Sequence, residues 1–145
     1  MDLLQFDEIK EQYDHVENTL DELGFEQTNK FGKKTFQVVT RNTTQQDLKD
    51  NADRVVNYSL DRIKQADYVL ADLSIENHFY FGCVCEIVYA RQFNKKVVVC
   101  TGKGDNDKRL WLHYHADYVC ETMEQALKYI HDCEQEQQRG QNEKR

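Results

Sequence analysis

The chain has 145 residues, 39% of them hydrophobic, with 19 basic against 26 acidic side chains and a formal net charge of −7. That length suits one domain with a real core, and the acidic balance opposes non-specific nucleic-acid binding, which needs clustered Lys and Arg to displace condensed counterions. No apolar run approaches the ~20 residues of a membrane span and the opening MDLLQFDEIKE is too acidic for a signal or transit peptide, so no membrane partner and a cytoplasmic location are expected.

Residues Asp2 to Leu23 place Phe6, Ile9, Tyr13, Val16, Leu20 and Leu23 three and four apart. This spacing predicts one amphipathic helix, with Gly24 as its C-cap. Thr35 to Thr40 (TFQVVT) has the β-branched and aromatic content of a strand, after a turn at Asn29 to Lys34. Thr44 with Asp47 three residues on predicts a capped helix start. Leu48, Ala52, Val55, Val56, Ser59 and Ile63 then trace a helical face up to Gln65.

From Ala66 to Thr101 the chain reads strand, loop, helix, strand. Tyr68 to Leu73 and Lys96 to Thr101 are apolar runs suited to strands buried on both faces. Between them Val84, Ile87, Val88 and Phe93 put one apolar side on a helix from Cys83 to Phe93, giving a βαβ crossover. Asp72 closes the first strand and Glu86 falls in the predicted first turn of the helix, where the positive end of the macrodipole favours an ionised carboxylate. Gly82 permits close backbone approach at that turn. Ligands of open α/β sheets bind beyond the carboxyl ends of the strands, so Asp72 and Glu86 are the candidate chemical groups.

Gly102 to Lys108 is a loop with two glycines, and Lys103, Lys108 and Arg109 are its nearby cations. It lacks the GxxxxGK[ST] phosphate-loop pattern. Leu110 to His115 mixes Trp111, Leu112 and Tyr114 with two histidines and suits either core or a subunit interface. Tyr118 to Cys120 reads as a last short strand. Thr122 with Gln125 predicts a capping box for a helix bearing Met123, Ala126, Leu127 and Ile130. Residues 1–133 form the expected domain, and 134–145 carry nothing to bury and read as a disordered polar tail. The five cysteines are an odd number, which suggests reduced thiols. Cys83 and Cys85 lack the second ligand pair of a zinc site, so neither metal nor cofactor is expected. The element order is that of a doubly wound, flavodoxin-like parallel α/β sheet in which the usual first strand is not visible before Phe6.

Three segments together resemble the nucleoside 2-deoxyribosyltransferase family, which includes the related 2′-deoxynucleoside 5′-monophosphate N-hydrolases. They are ADYVLADLS at Ala66 to Ser74, GCVCEIVYA at Gly82 to Ala90, and the ending LHYHADYVCETMEQALKYI. The resemblance implies cleavage or exchange of an N-glycosidic bond of deoxynucleosides or their monophosphates. Glu86 is implied as the nucleophile and Asp72 as the acid that arranges sugar and base. Ser74, His78, Tyr80, Gly82, Lys103 and Arg109 are the implied substrate-binding groups, with Tyr80 standing where the transferases usually carry a second aspartate. The partners implied are a small nucleoside or nucleotide and further copies of the chain, as a dimer or larger assembly. Two other readings stay open: a non-catalytic nucleotide-binding or assembly protein of the same fold, and a TIR-like NAD-cleaving domain, to which the spacing of Ser74, Cys83 and Glu86 is similar.

Overall fold

The computed structural model describes residues 3–27, 44–75 and 80–144. The strand expected at Thr35 to Thr40 and the loop residue His78 lie outside them. The chain divides into two units, Met1–Ala66 and Asp67–Arg145.

The first unit holds α1 (Leu3–Glu22) and α2 (Gln45–Gln65). Gly24 ends α1 as its sequence position predicts. Its φ of 84° lets the chain turn back so that Phe25 N–H reaches Leu20 O and Gly24 N–H reaches Asp21 O, a Schellman closure. At α2 the capping box is complete: Thr44 Oγ1 accepts from Asp47 N–H, and the Asp47 carboxylate accepts from Thr44 N–H. Those two bonds favour the charged form of Asp47 and hold its pKa below the ordinary value. The apolar face traced along α2 is buried only at Ile63; Leu48, Val55 and Val56 are exposed.

The second unit is α/β, a parallel sheet of three strands in the order β1 (Tyr68–Asp72), β2 (Lys96–Cys100), β3 (Tyr118–Cys120). The register pairs Asp72 with Cys100 and Cys100 with Cys120, so the carboxyl ends of all three strands finish level. Val97, Val98 and Val99 are fully buried, which is why β2 reads as an uninterrupted apolar run. α3 (Phe81–Gln92) links β1 to β2; a 3-10 turn (Asp105–Lys108) and α4 (Leu110–His115) link β2 to β3. α3 also ends in a Schellman closure, with Asn94 at φ 58° and Lys95 N–H bonded to Ala90 O.

The last helix, α5 (Met123–Glu143), lies along the sheet face that carries Tyr68, Lys96 and Tyr118. Tyr68 donates its hydroxyl to Glu134 at 3.0 Å, Lys96 Nζ lies 3.8 Å from Cys133 Sγ, and Tyr118 stacks on Tyr129 at 4.3 Å. By the two-residue alternation of a strand, Asp72 points to this same side of β1. α5 continues past Cys133 to Glu143, where composition predicts a disordered tail. Glu, Gln and Arg are good helix formers, no proline interrupts them, and the Tyr68 bond ties the helix down at Glu134. Thr122 caps α5 with Gln125 as predicted. Thr122→Ala is expected to cost about 1 kcal/mol of stability, read from the shift of a urea unfolding curve. Among the described residues no helix is long and apolar enough to cross a membrane.

Candidate functional site

The carboxyl edge of the sheet is tightly built. The ladder runs one residue beyond the strands, with Leu73 N–H on Cys100 O at 2.7 Å and Thr101 N–H on Cys120 O at 2.8 Å. Asp72 is only 8% exposed. A carboxylate there needs compensation for lost water, and its Oδ1 accepts from Ser74 N–H at 2.9 Å, closing an Asx turn that fixes how the chain leaves β1. Gly102 seats this turn from the other side. Its φ is 65°, and a Cβ placed on it would come within 3.0 Å of both Cβ and O of Ser74.

Tyr80 closes the far end of the same loop. Its half-buried hydroxyl accepts from Ile75 N–H at 2.9 Å. Burial pushes the Tyr80 phenol above its usual range and the nearby Asp72 charge adds to the effect, while the bond from Ile75 opposes it. Tyr80 therefore stays protonated near neutrality and keeps a hydroxyl hydrogen to donate. Its weak acidity makes it a hydrogen-bonding group rather than a proton source.

Three expectations are corrected here. α3 begins at Phe81 rather than Cys83, so Glu86 is its sixth residue and the first turn contains no acid. The macrodipole acts within the first turn, so it does not supply the support for Glu86 that the sequence reading assigns to it. Among the described residues Gly82 makes no close approach: a Cβ there would meet none of their atoms within 4 Å. Val84, expected on the buried side of α3, is exposed, while Ile87 and Ala90 are buried.

Of the residues singled out from sequence, Asp72, Ser74 and Tyr80 come together at the carboxyl edge, joined by Gly102 and the buried Cys100. Glu86 lies one turn into α3 and is partly exposed. Lys103 is exposed just beyond Gly102. Arg109, also exposed, stands at the start of α4 and lines a separate cleft. Lys108, a cation of the glycine loop, is paired with Asp105 at 2.8 Å.

The sequence reading passed over Asn106, whose Nδ2 donates to Leu73 O at 2.9 Å and locks the β2–β3 connection onto the end of β1; His115, within the stretch read as core or interface, is buried. For His115 the available signal is its i,i+4 spacing from Trp111; for Asn106 there is none.

All five cysteines are free thiols, and among the described residues no group of three or more His, Cys, Asp or Glu is placed to hold a metal ion. Cys100 and Cys120 are register partners on β2 and β3. Burial raises both thiols, Cys120 to about 11, with the Cys100 charge contributing. Thiolate is the reactive form, so a disulfide reagent at neutral pH is expected to label exposed Cys85 in the native protein and to reach Cys100 and Cys120 only after unfolding. Because its folded pKa lies above the ordinary 9.0, Cys120 contributes stability that is whole below pH 9.0 and lost as pH rises through about 11. Alkaline unfolding of Cys120→Ala is expected to lose that part of the pH dependence.

Comparison with protein-family models, curated proteins and solved structures finds no match to this chain.

Proposed function

We propose that the chain cleaves or exchanges the N-glycosidic bond of a 2′-deoxynucleoside or deoxynucleoside monophosphate, with Glu86 as nucleophile and Asp72 as the group that orients the sugar. The observation that carries this reading is Asp72: a carboxylate almost wholly buried at the carboxyl end of a parallel strand, held at an angle by Ser74 N–H and within the field of the Tyr80 hydroxyl. Ligands of such sheets bind at this edge. The strand order β1-β2-β3 fits the later half of a doubly wound, flavodoxin-like sheet; among the described residues β1 pairs with β2 alone.

As the base departs, positive charge develops at the anomeric carbon. A Glu86 oxygen forms a bond to that carbon, the C–N bond breaks, and its electron pair leaves with the base, which takes up a proton. Water or a second base then displaces Glu86. Tyr80 and Ser74 bind the sugar or its 5′ substituent, and Lys103 offers charge to a phosphate. A cytoplasmic location and assembly of several copies, through the exposed Leu110 and Tyr114 of α4, belong to the same proposal.

One observation favours a second reading, a non-catalytic nucleotide-binding protein: Asp72 already serves the Asx turn, and Glu86 sits beyond the reach of the helix dipole. Chromatography of the protein incubated with mixed deoxynucleosides, their monophosphates, NAD and a free acceptor base separates the readings. Release or exchange of a deoxynucleoside base supports the proposal. Nicotinamide release from NAD, or binding without turnover, overturns it.

A further inference from the structure

Between α3 and α4 lies a cleft of about 390 Å³, within the size range of small-molecule sites. It adjoins the carboxyl edge of the sheet through Leu73 and Tyr80, while neither Asp72 nor Glu86 forms part of its wall. The wall is apolar and aromatic: Phe81, Val84 and Val88 from α3, Trp111 and Leu112 from α4. Phe81 is 67% exposed and Trp111 76%, which places both rings at its rim.

Four polar side chains reach this cleft, and one of them, Tyr80, already accepts through its hydroxyl from Ile75 N–H. Asn106 is committed through Nδ2 to Leu73 O. Arg109 makes no hydrogen bond or ion pair through its guanidinium among the described residues, and the nearest acid whose titration it influences is Asp105. His115 is the informative one. Only 4% exposed, it lies between the stacked Trp111 ring (8° between planes) and the edge-on Tyr114 ring. Its Nδ1 is 2.7 Å from Trp111 O. A carbonyl only accepts, so Nδ1 carries the hydrogen, and in the neutral ring Nε2 is an acceptor. Nε2 makes no hydrogen bond among the described residues, and His115 is part of the cleft wall.

Arg109 is the N-cap of α4 and His115 its last residue, and both line the cleft. A guanidinium at one end, a lone-pair acceptor at the other and ring faces between them specify a complementary molecule. We propose that the α3–α4 cleft binds a planar aromatic anion carrying a hydrogen-bond donor opposite its acid group. The acid pairs with Arg109, the donor meets His115 Nε2, and the ring lies against Trp111. The fork of donors on Arg109 suits a carboxylate or phosphate, and the apolar wall replaces water along the ring.

Trp111 is the single tryptophan of the chain, so its fluorescence reports the cleft directly and independently of any turnover at Glu86. Titration above neutral pH with 4-hydroxybenzoate is expected to quench Trp111 saturably. Benzoate, which lacks the donor, and phenol, which lacks the acid, are each expected to bind about tenfold more weakly. Arg109→Gln changes an exposed side chain and is expected to weaken 4-hydroxybenzoate about tenfold while leaving phenol unchanged; His115→Gln is expected to erase the preference over benzoate. Equal affinity for the three probes, or no saturable quenching, overturns the proposal. So does sedimentation showing a dimer in which Trp111 is already shielded and unresponsive, for then a second copy of the chain fills the cleft.

Discussion

Replacing Glu86 by Gln is expected to lower base release by on the order of a thousandfold or more, with the folded state intact. Gln keeps the size and most of the hydrogen-bonding capacity of Glu but has no anionic oxygen to bond to the anomeric carbon, so the covalent route closes. Glu86 is partly exposed, so little packing is lost, and circular dichroism should superimpose on that of the wild type. Glu86→Ala leaves room for a small carboxylate, and added formate is expected to restore part of the turnover by attacking in its place. Formate that restores nothing, in a variant shown to be folded, would take the nucleophile role away from Glu86. Turnover that survives Glu86→Gln would place the reaction with another group at the sheet edge, Asp72 first.

The largest effect on stability is expected at Gly102. Gly102→Ala forces an L side chain into a left-handed conformation at φ 65°, which costs about 1–2 kcal/mol, and sets its Cβ 3.0 Å from the Ser74 backbone, where overpacking adds about 1–3 kcal/mol. Two atoms of Ser74 in that contact, O and Cα, are main chain and have no rotamer to move into, so the clash displaces the turn itself. Together these predict a fall in melting temperature of about 15 °C for a unit of this size. The matched control is Gly82→Ala. That residue is helical and a Cβ on it would meet no described residue within 4 Å, so alanine there is expected to raise stability by up to about 1 kcal/mol. The Gly102 effect should reach function as well, because moving Ser74 withdraws the N–H that aims Asp72.

The amino-acid sequence by itself determined what depends on neighbours along the chain. Gly24 and the two capping boxes, Thr44 with Asp47 and Thr122 with Gln125, act over three to five residues, so their chemistry is complete locally. The strands at Tyr68, Lys96 and Tyr118 are legible for a related reason: strands buried on both faces require nearly continuous apolar runs. Asp72 and Tyr80 could be picked out as candidates, the former from its place at a strand end.

Tertiary structure alone decided the rest. Periodicity gives a helix an apolar side but not its partner, so whether Val84 is covered depended on where α4 lies. The start of α3, and with it the turn on which Glu86 falls, was set by the chain entering the helix at Tyr80, whose hydroxyl holds Ile75 N–H. The closeness of Gly102 to Ser74 joins residues 28 apart through the level ends of β1 and β2. His115 takes its ring contacts and hydrogen bond from its own helix neighbours Trp111 and Tyr114, but its burial depends on how α4 packs. The cover over Val84 and the closeness of Gly102 to Ser74 are non-local, and their geometry follows from register and packing, quantities that no stretch of sequence carries alone.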